Sequence, residues 1–581
     1  MCAGLALLLY LVGLGRPPLW EPDEGRYAEI AREMVVGHDY ITPRNNFVRY
    51  LEKPPLVYWV TAASLGLFGH NEFAVRLPAA IASAGQVAIT GVLAEGMFGA
   101  TAGVLAALAL ALSPLFFAFA RFATPDPALA FFLTAAMACF YTGAQSSHLR
   151  GGIDARWMLA AVAMLALGTL TKGPVALLLG GSVALLWLVV EGRSSDGLRI
   201  PWLKCSALYL AITLPWFVVV ARRNPGFVHF FIIHEHFQRY LESTEHGWGP
   251  WFYVPITVAG TWPWFYFAPL ALNLSAVPFV LPFWSLGRKT RAAPDKAGID
   301  LKSEPARAAL HFLLIWFAVI FVFFSIPSSK LGEYILPGLP PIAILAGRGL
   351  ARIERLALVQ RRWLLLIFAA VNAGAAILII VAIMIVPADG LGHALASDGI
   401  ITATALLAGG VTPLLLNDSS KVSTVILPLA ISVIVGMGAG IDARGKVAPL
   451  VSYRELASVV DPYVSRGCRL ISYRHFEQAL PFYLGARETL VNYRGELEPF
   501  GPLHDPDGSV FATVAQLKKI WAGNQCVVLV ANRLDLPTLV NLLSPAPTLM
   551  GCEGKKFALY NLPLDASSRM ARECLTAAIS H

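Results

Sequence analysis

Apolar runs long enough to cross a bilayer recur through the first three quarters of this chain, separated by short polar breaks, and few folds can be built from such a pattern. Spans are read at 2–15, 73–98, 101–121, 126–145, 157–171, 174–191, 203–221, 251–283, 308–327, 334–350, 363–386, 399–416 and 424–441, thirteen in all. Only 14% of the 581 residues are charged and 56% are hydrophobic, with a mean hydropathy of +0.61. A soluble domain carries roughly a quarter charged residues, so the chain is expected to be a mainly α polytopic membrane protein. The net charge of +8 is accounted for by basic loops between spans, and nucleic acid is not expected as a partner. The first run lacks a basic leader and a small-residue cleavage site, and is read as a transmembrane helix instead of a signal peptide. Because it is short for a span, the true start is expected further upstream.

Orientation follows from the basic residues. With the N-terminus in the cytoplasm, the inner loops hold Arg150, Arg156, Arg193, Arg199, Lys204, Arg288, Lys289, Arg348, Arg352 and Arg355, among others. Arg26, Arg32, Arg44, Arg49, Lys53, Arg222, Arg223, Arg239 and Lys330 then lie on the outer side. They are either balanced on an outer surface by acids such as Glu24, Glu29 and Glu33, or placed there for anionic ligands. Residues 1–441 form the expected membrane domain, with outer segments at 16–69 and 222–250, and residues 54–69 are read as juxtamembrane. Beyond it, β-rich runs at 469–473 and 526–530 alternate with helical patterns such as 514–521, so 442–581 is expected to be an α/β domain on the outer side. Of seven cysteines, Cys468, Cys526, Cys552 and Cys574 fall in that domain, where one disulfide is possible with its pairing left open.

Five polar stretches stand out against this background. The first is Trp20 to Tyr27, where a helix opening at Asp23 would align Arg26 and Tyr27 at i+3 and i+4, either as a binding surface or as an ordinary amphipathic surface helix. The second is Glu52-Lys53-Pro54-Pro55, which holds Lys53 at the bilayer boundary, suited to a phosphate or to interfacial snorkelling. Next, Thr124-Pro125-Asp126 reads as an N-cap, a first-turn proline and a first-turn carboxylate that should face protein and not lipid. Lys172 and Lys330 lie in two further outer turns, the latter with Glu333 and Tyr334 close behind. A divalent ion held jointly by Glu52 and His234 or His236 is a further possibility, although the i,i+2 histidine spacing is not a helical zinc motif. No Walker loop, Rossmann fingerprint or GxSxG elbow is found.

Taken in order, Glu21-Pro22-Asp23-Glu24-Gly25-Arg26-Tyr27, Leu51-Glu52-Lys53-Pro54-Pro55, Thr124-Pro125-Asp126, Thr171-Lys172-Gly173-Pro174 and Ser329-Lys330-Leu331-Gly332-Glu333-Tyr334-Ile335-Leu336-Pro337 are similar to the motifs of the lipid A aminoarabinose transferases. These are membrane glycosyltransferases of the protein O-mannosyltransferase-like, GT-C type. Gly332-Glu333 stands where the family usually has Pro-Thr, so Lys330 and Tyr334 are the residues of this motif carried over from the resemblance. The resemblance implies a GT-C fold of about thirteen transmembrane helices in the bacterial inner membrane, with the site and C-terminal domain in the periplasm. It also implies transfer of 4-amino-4-deoxy-L-arabinose from undecaprenyl phosphate to lipid A phosphates by a monomeric enzyme, conferring resistance to polymyxin and cationic peptides.

On that basis Asp23, Lys53 and Asp126 are the expected catalytic residues, and Arg26, Tyr27, Glu52, Lys172, Arg239, Lys330 and Tyr334 the expected substrate-binding ones. Expulsion of a polyprenyl phosphate calls for cations such as Lys53 and Arg26. The acceptor phosphate is already ionised, so Asp23 and Asp126 are expected to orient substrates, not to act as strong bases. No cofactor is required beyond the possible ion. The alternatives are a polyprenyl-phosphate-dependent protein O-mannosyltransferase-like enzyme and a lipid-sugar transporter. One-sided placement of the polar motifs argues against the transporter, whose binding site would lie near the midplane.

Overall fold

The computed structural model describes residues 1–145, 153–238, 247–272, 304–385, 390–416, 421–497 and 509–563. It divides into two compact units, one of residues 1–12 with 79–443 and the other of residues 13–78 with 444–581.

Among the described residues, eight helices are long and apolar enough to cross a membrane, or nine if one bent pair counts as a single span. Several of the expected runs appear as single helices, among them Glu72–Phe98, Asp126–Gln145, Leu358–Ile385 and Ser423–Val451. The run expected at 101–121 is instead two helices, Ala100–Ala111 and Pro114–Ala120, bent by 65°. Pro114 cannot donate to the preceding turn and disfavours helical geometry at Ser113, which breaks the ladder there. The run expected at 251–283 is helical over Tyr253–Gly260 and 3-10 over Trp264–Ala271, two prolines having removed donors; residues 273–283 lie outside the described residues. Helix Val175–Val190 is apolar but shorter than a span.

Close packing in the helical unit rests on small and aromatic residues. Gly347 lies where a Cβ would meet Ala106 N at 2.5 Å and Ala102 O at 2.7 Å, so helix Leu339–Ala351 can approach helix Ala100–Ala111 only at glycine. Trp187, Phe140, Tyr141 and Phe312 form one aromatic cluster, and the buried indole Nε1 donates to Ala308 O at 2.9 Å. Helices Asp126–Gln145 and Ala155–Lys172 run antiparallel. The start of the first and the end of the second therefore lie at the same end of the bundle.

The second unit contains helices Asp23–Gly37 and Leu56–Phe68, a short hairpin, and a six-stranded sheet. The hairpin pairs β1 (Arg44–Asn45) with β2 (Val48–Arg49), turning through Asn46 and Phe47 at φ of 56° and 64°. The sheet is ordered β5 (Phe511–Ala512), β4 (Glu488–Val491), β3 (Arg469–Tyr473), β6 (Val527–Asn532), β8 (Lys556–Tyr560), β7 (Thr548–Glu553). The first four are parallel and the last two antiparallel. Parallel strands buried on both faces read as continuous apolar runs, and Val527-Val528-Leu529-Val530 is one. Helix Arg454–Val464 packs on one face through Leu456 and Val460. Helix Val514–Trp521, held by a Thr513/Gln516 capping box, covers the other. Cys468 and Cys526 form a disulfide beside the paired starts of β3 and β6, which settles the pairing left open for these two; Cys574 lies outside the described residues.

Candidate functional site

Five of the expected residues lie in the second unit, around the start of helix Asp23–Gly37. The helix opens at Asp23 as its spacing predicts, but it is not a surface helix: Glu24, Arg26, Glu29, Arg32 and Glu33 are all buried. Gly25 shows why. A Cβ there would stand 2.6 Å from the backbone nitrogen of Ala479, so the helix start is pressed against helix Ala479–Leu484.

Arg26 is held from several sides. Its Nε donates to Gln478 Oε1 at 3.0 Å and its Nη2 lies 2.6 Å from Glu496 Oε2, while Nη1 is 3.7 Å from Asp23 Oδ1. The guanidinium also sits 5.9 Å from the Tyr50 ring centre. Burial works against its charge, but Tyr50, Glu496 and Glu52 more than offset it and hold the pKa above the usual arginine value. Arg26 is therefore a fixed cation. Tyr27 stacks on Tyr58 at 5.8 Å. Lys53 Nζ lies 3.9 Å from Glu52 Oε2, and its side chain is 21% exposed, against 38% for Asp23. Both charges are thus reachable by a ligand.

Behind this surface lies a network the sequence reading did not include. Arg76, fully buried, engages Glu24 through Nε (2.7 Å) and Nη2 (2.6 Å), and also donates to the carbonyls of Leu14, Pro17 and Pro18. Arg444 Nη2 lies 2.8 Å from Glu24 Oε2, which also accepts from Trp20 N at 3.0 Å. Glu24 is thus the buried anchor of the segment leading into Asp23, not a balancing surface acid. A charged residue inside the apolar run at 73–98 was the available signal for Arg76. Gln478 and Glu496 gave none, since nothing local ties them to residue 26. Glu21, on the same segment, accepts from Gln478 N and Ala479 N at 3.2 and 2.5 Å. Burial, with Glu477 nearby, pushes its pKa up to about 8 despite those bonds.

In the helical unit, Asp126 and Lys172 meet at one end of the antiparallel pair, with Lys172 Nζ donating to Asp126 Oδ1 at 2.5 Å. The ammonium also stands 4.2 Å from the centre of the Tyr334 ring. Three residues from three motifs, expected on separate grounds, are therefore in direct contact. Asp126 is buried, as the cost of a carboxylate facing lipid requires. Thr124 does not cap: the helix begins at Asp126, one residue later than the pattern suggests, and the buried Thr124 hydroxyl makes no hydrogen bond among the described residues. Lys330 is turned inward, its ammonium donating to the carbonyls of Trp248 (3.0 Å) and Pro327. His234 stacks on Phe230 and lies 3.6 Å from Glu235. Arg239 and the side chain of His236 lie outside the described residues. Among the described residues no group of three or more His, Cys, Asp or Glu side chains could hold a metal ion.

The family model for dolichyl-phosphate-mannose-protein mannosyltransferases matches residues 52–218, and that for the aminoarabinose transferase C-terminal domain matches residues 456–546. An undecaprenyl phosphate-α-4-amino-4-deoxy-L-arabinose arabinosyl transferase of Enterobacter sp. (strain 638) is 33% identical over 59% of this chain and 57% of its own length. A second such transferase, from Proteus mirabilis, is 33% identical over 64% of each. The chain therefore spans about three-fifths of the curated relatives it matches. The crystal structure of ArnT from Cupriavidus metallidurans bound to undecaprenyl phosphate superposes with a TM-score of 0.81, at 29% identity, covering 98% of both chains. In domain order, in sequence and in its helical GT-C fold, the chain resembles the undecaprenyl phosphate-aminoarabinose arabinosyl transferases, as its motifs indicate.

Proposed function

We propose that this chain is a membrane glycosyltransferase that moves 4-amino-4-deoxy-L-arabinose from undecaprenyl phosphate to the phosphates of lipid A, on the periplasmic face of the bacterial inner membrane. Resistance to polymyxin and cationic peptides follows, because each added amine offsets negative charge on the lipid. The observation that carries this reading is the near full-length likeness to a protein crystallised with undecaprenyl phosphate. The thirteen crossings, the outward-facing C-terminal domain and a monomeric state belong to the same reading.

In this reaction an oxygen of the lipid A phosphate attacks the anomeric carbon, the bond from that carbon to the carrier's phosphate oxygen breaks, and undecaprenyl phosphate leaves with the bonding pair. Lys53, with the fixed charge of Arg26 behind it, neutralises the departing phosphate. Within the helical unit Lys172 is itself matched to a phosphate, and in meeting one it releases Asp126 to take an ammonium. Asp23, open to solvent beside Arg26, orients the donor. Lys330, committed to two carbonyls, shapes the turn before Tyr334 and supports the site through the backbone.

A two-lipid assay with purified protein tests the reading. Lys53→Ala and Asp23→Asn are each expected to lower transfer by at least about 100-fold, the scale of losing one charge-stabilising group, with folding and insertion unchanged. Normal product from either variant removes that residue from the site. An EDTA arm tests the ion on Glu52 with His234 or His236: the proposed mechanism expects transfer to persist, and loss restored by a divalent cation would assign the ion a role.

A further inference from the structure

We infer that the helical unit carries a binding site for an anionic phospholipid at the end of the bundle opposite Asp126 and Lys172. A cavity of about 870 Å³ opens there, lined by helix Glu72–Phe98 through Val92 and Gly96, by helix Asp126–Gln145 through Cys139 and Tyr141, and by Trp157 and Pro305 at the starts of two more helices. Tyr141 lies fifteen residues along its helix from Asp126, or about 22 Å at 1.5 Å per residue. The lining residue of that helix nearest the charged cluster, Ala135, is nine residues from Asp126, or about 13 Å, so the cavity is separate from the cluster.

Its lining is mostly apolar, with Tyr141, Thr142 and Gln145 the polar exceptions, and three of the four helices that form it are apolar enough to span a membrane. Water would find few partners inside, whereas a hydrocarbon chain would fill the space at no cost in hydrogen bonds. The charge next in the chain to two of its lining residues specifies the head that goes with such a tail. Arg156 precedes the lining residue Trp157, and Arg307 follows Pro305 by two. Both arginines are exposed and neither makes an ion pair among the described side chains. Trp157, 42% exposed, supplies the ring expected at headgroup level. Two exposed guanidinium groups on helix starts that contribute to this apolar slot suit a phosphodiester whose charge is not cancelled within its own headgroup.

The full chain in nanodiscs of equal phosphatidylglycerol and phosphatidylethanolamine tests this by native mass spectrometry of the released protein. Wild-type protein is expected to retain phosphatidylglycerol over phosphatidylethanolamine by about tenfold or more, given two basic groups at the surface. Arg156→Gln with Arg307→Gln should abolish that preference. Gly96→Phe should lose the bound lipid itself while folding normally, since a Cβ at Gly96 meets no atom within 4 Å. Equal retention of the two lipids by wild type, or an unchanged phosphatidylglycerol adduct on Gly96→Phe, would overturn the assignment. Retention of free glycerophosphate in place of the intact lipid would do the same.

Discussion

Asp126 illustrates how much one residue's position decides. At the start of an apolar helix it can cap the helix, face lipid at a cost, or meet a cation, and the structure gives it Lys172. Because the ammonium also lies over Tyr334, Asp126→Asn should free Lys172 without displacing it. The expected result is transfer reduced about 100-fold or more with an unchanged melting temperature, read by product mass and thermal unfolding. Glu21 gives a pH prediction. Its carboxyl is raised to about 8 in the folded chain from 4.5, so between those values the native state binds the extra proton. Its contribution to stability is present below about 4.5 and is lost as pH rises through about 8. Glu21→Gln should flatten that part of the stability profile; an equally steep decline in the variant would rule Glu21 out as its source. Residue types and order were legible for Asp23, Lys53, Asp126, Lys172 and Tyr334. The inward turn of Lys330 was not, because it depends on the carbonyl of Trp248, 82 residues away.

At the scale of elements, apolar periodicity located most of the helices, and it failed where proline interrupted a run, at Pro114 and after Gly260. It left helix Asp23–Gly37 open between a binding surface and an amphipathic surface helix, since its charged residues are neutralised in pairs only by the folded structure. Glu24 with Arg76 and Arg444, and Glu29 with Arg32, turn a polar sequence into a buried helix. Such a network adds little by itself, but removing one member leaves a charge unpaired. Arg76→Ala should therefore destabilise the second unit by about 3–5 kcal/mol, measured by thermal unfolding. In the sheet, the Cys468–Cys526 bond closes a loop of 58 residues. Replacing Cys526 by serine is expected to cost about 4 kcal/mol from loop-closure entropy, measured by chemical denaturation under oxidising conditions.

For the molecule as a whole, hydropathy established a membrane protein and the ordered motifs pointed to one family, while the grouping of residues 13–78 with 444–581 was beyond reach. That grouping depends on contacts such as Gly25 with Ala479 and Arg454 with Glu72, which no local pattern announces. The central claim is chemical transfer between two lipids, and mass spectrometry of lipid A tests it most directly. Purified protein reconstituted with undecaprenyl phosphate-linked aminoarabinose and lipid A should yield lipid A heavier by one aminoarabinose residue per modified phosphate, with release of undecaprenyl phosphate. Movement of labelled lipid across the vesicle with no change in the mass of lipid A would contradict it.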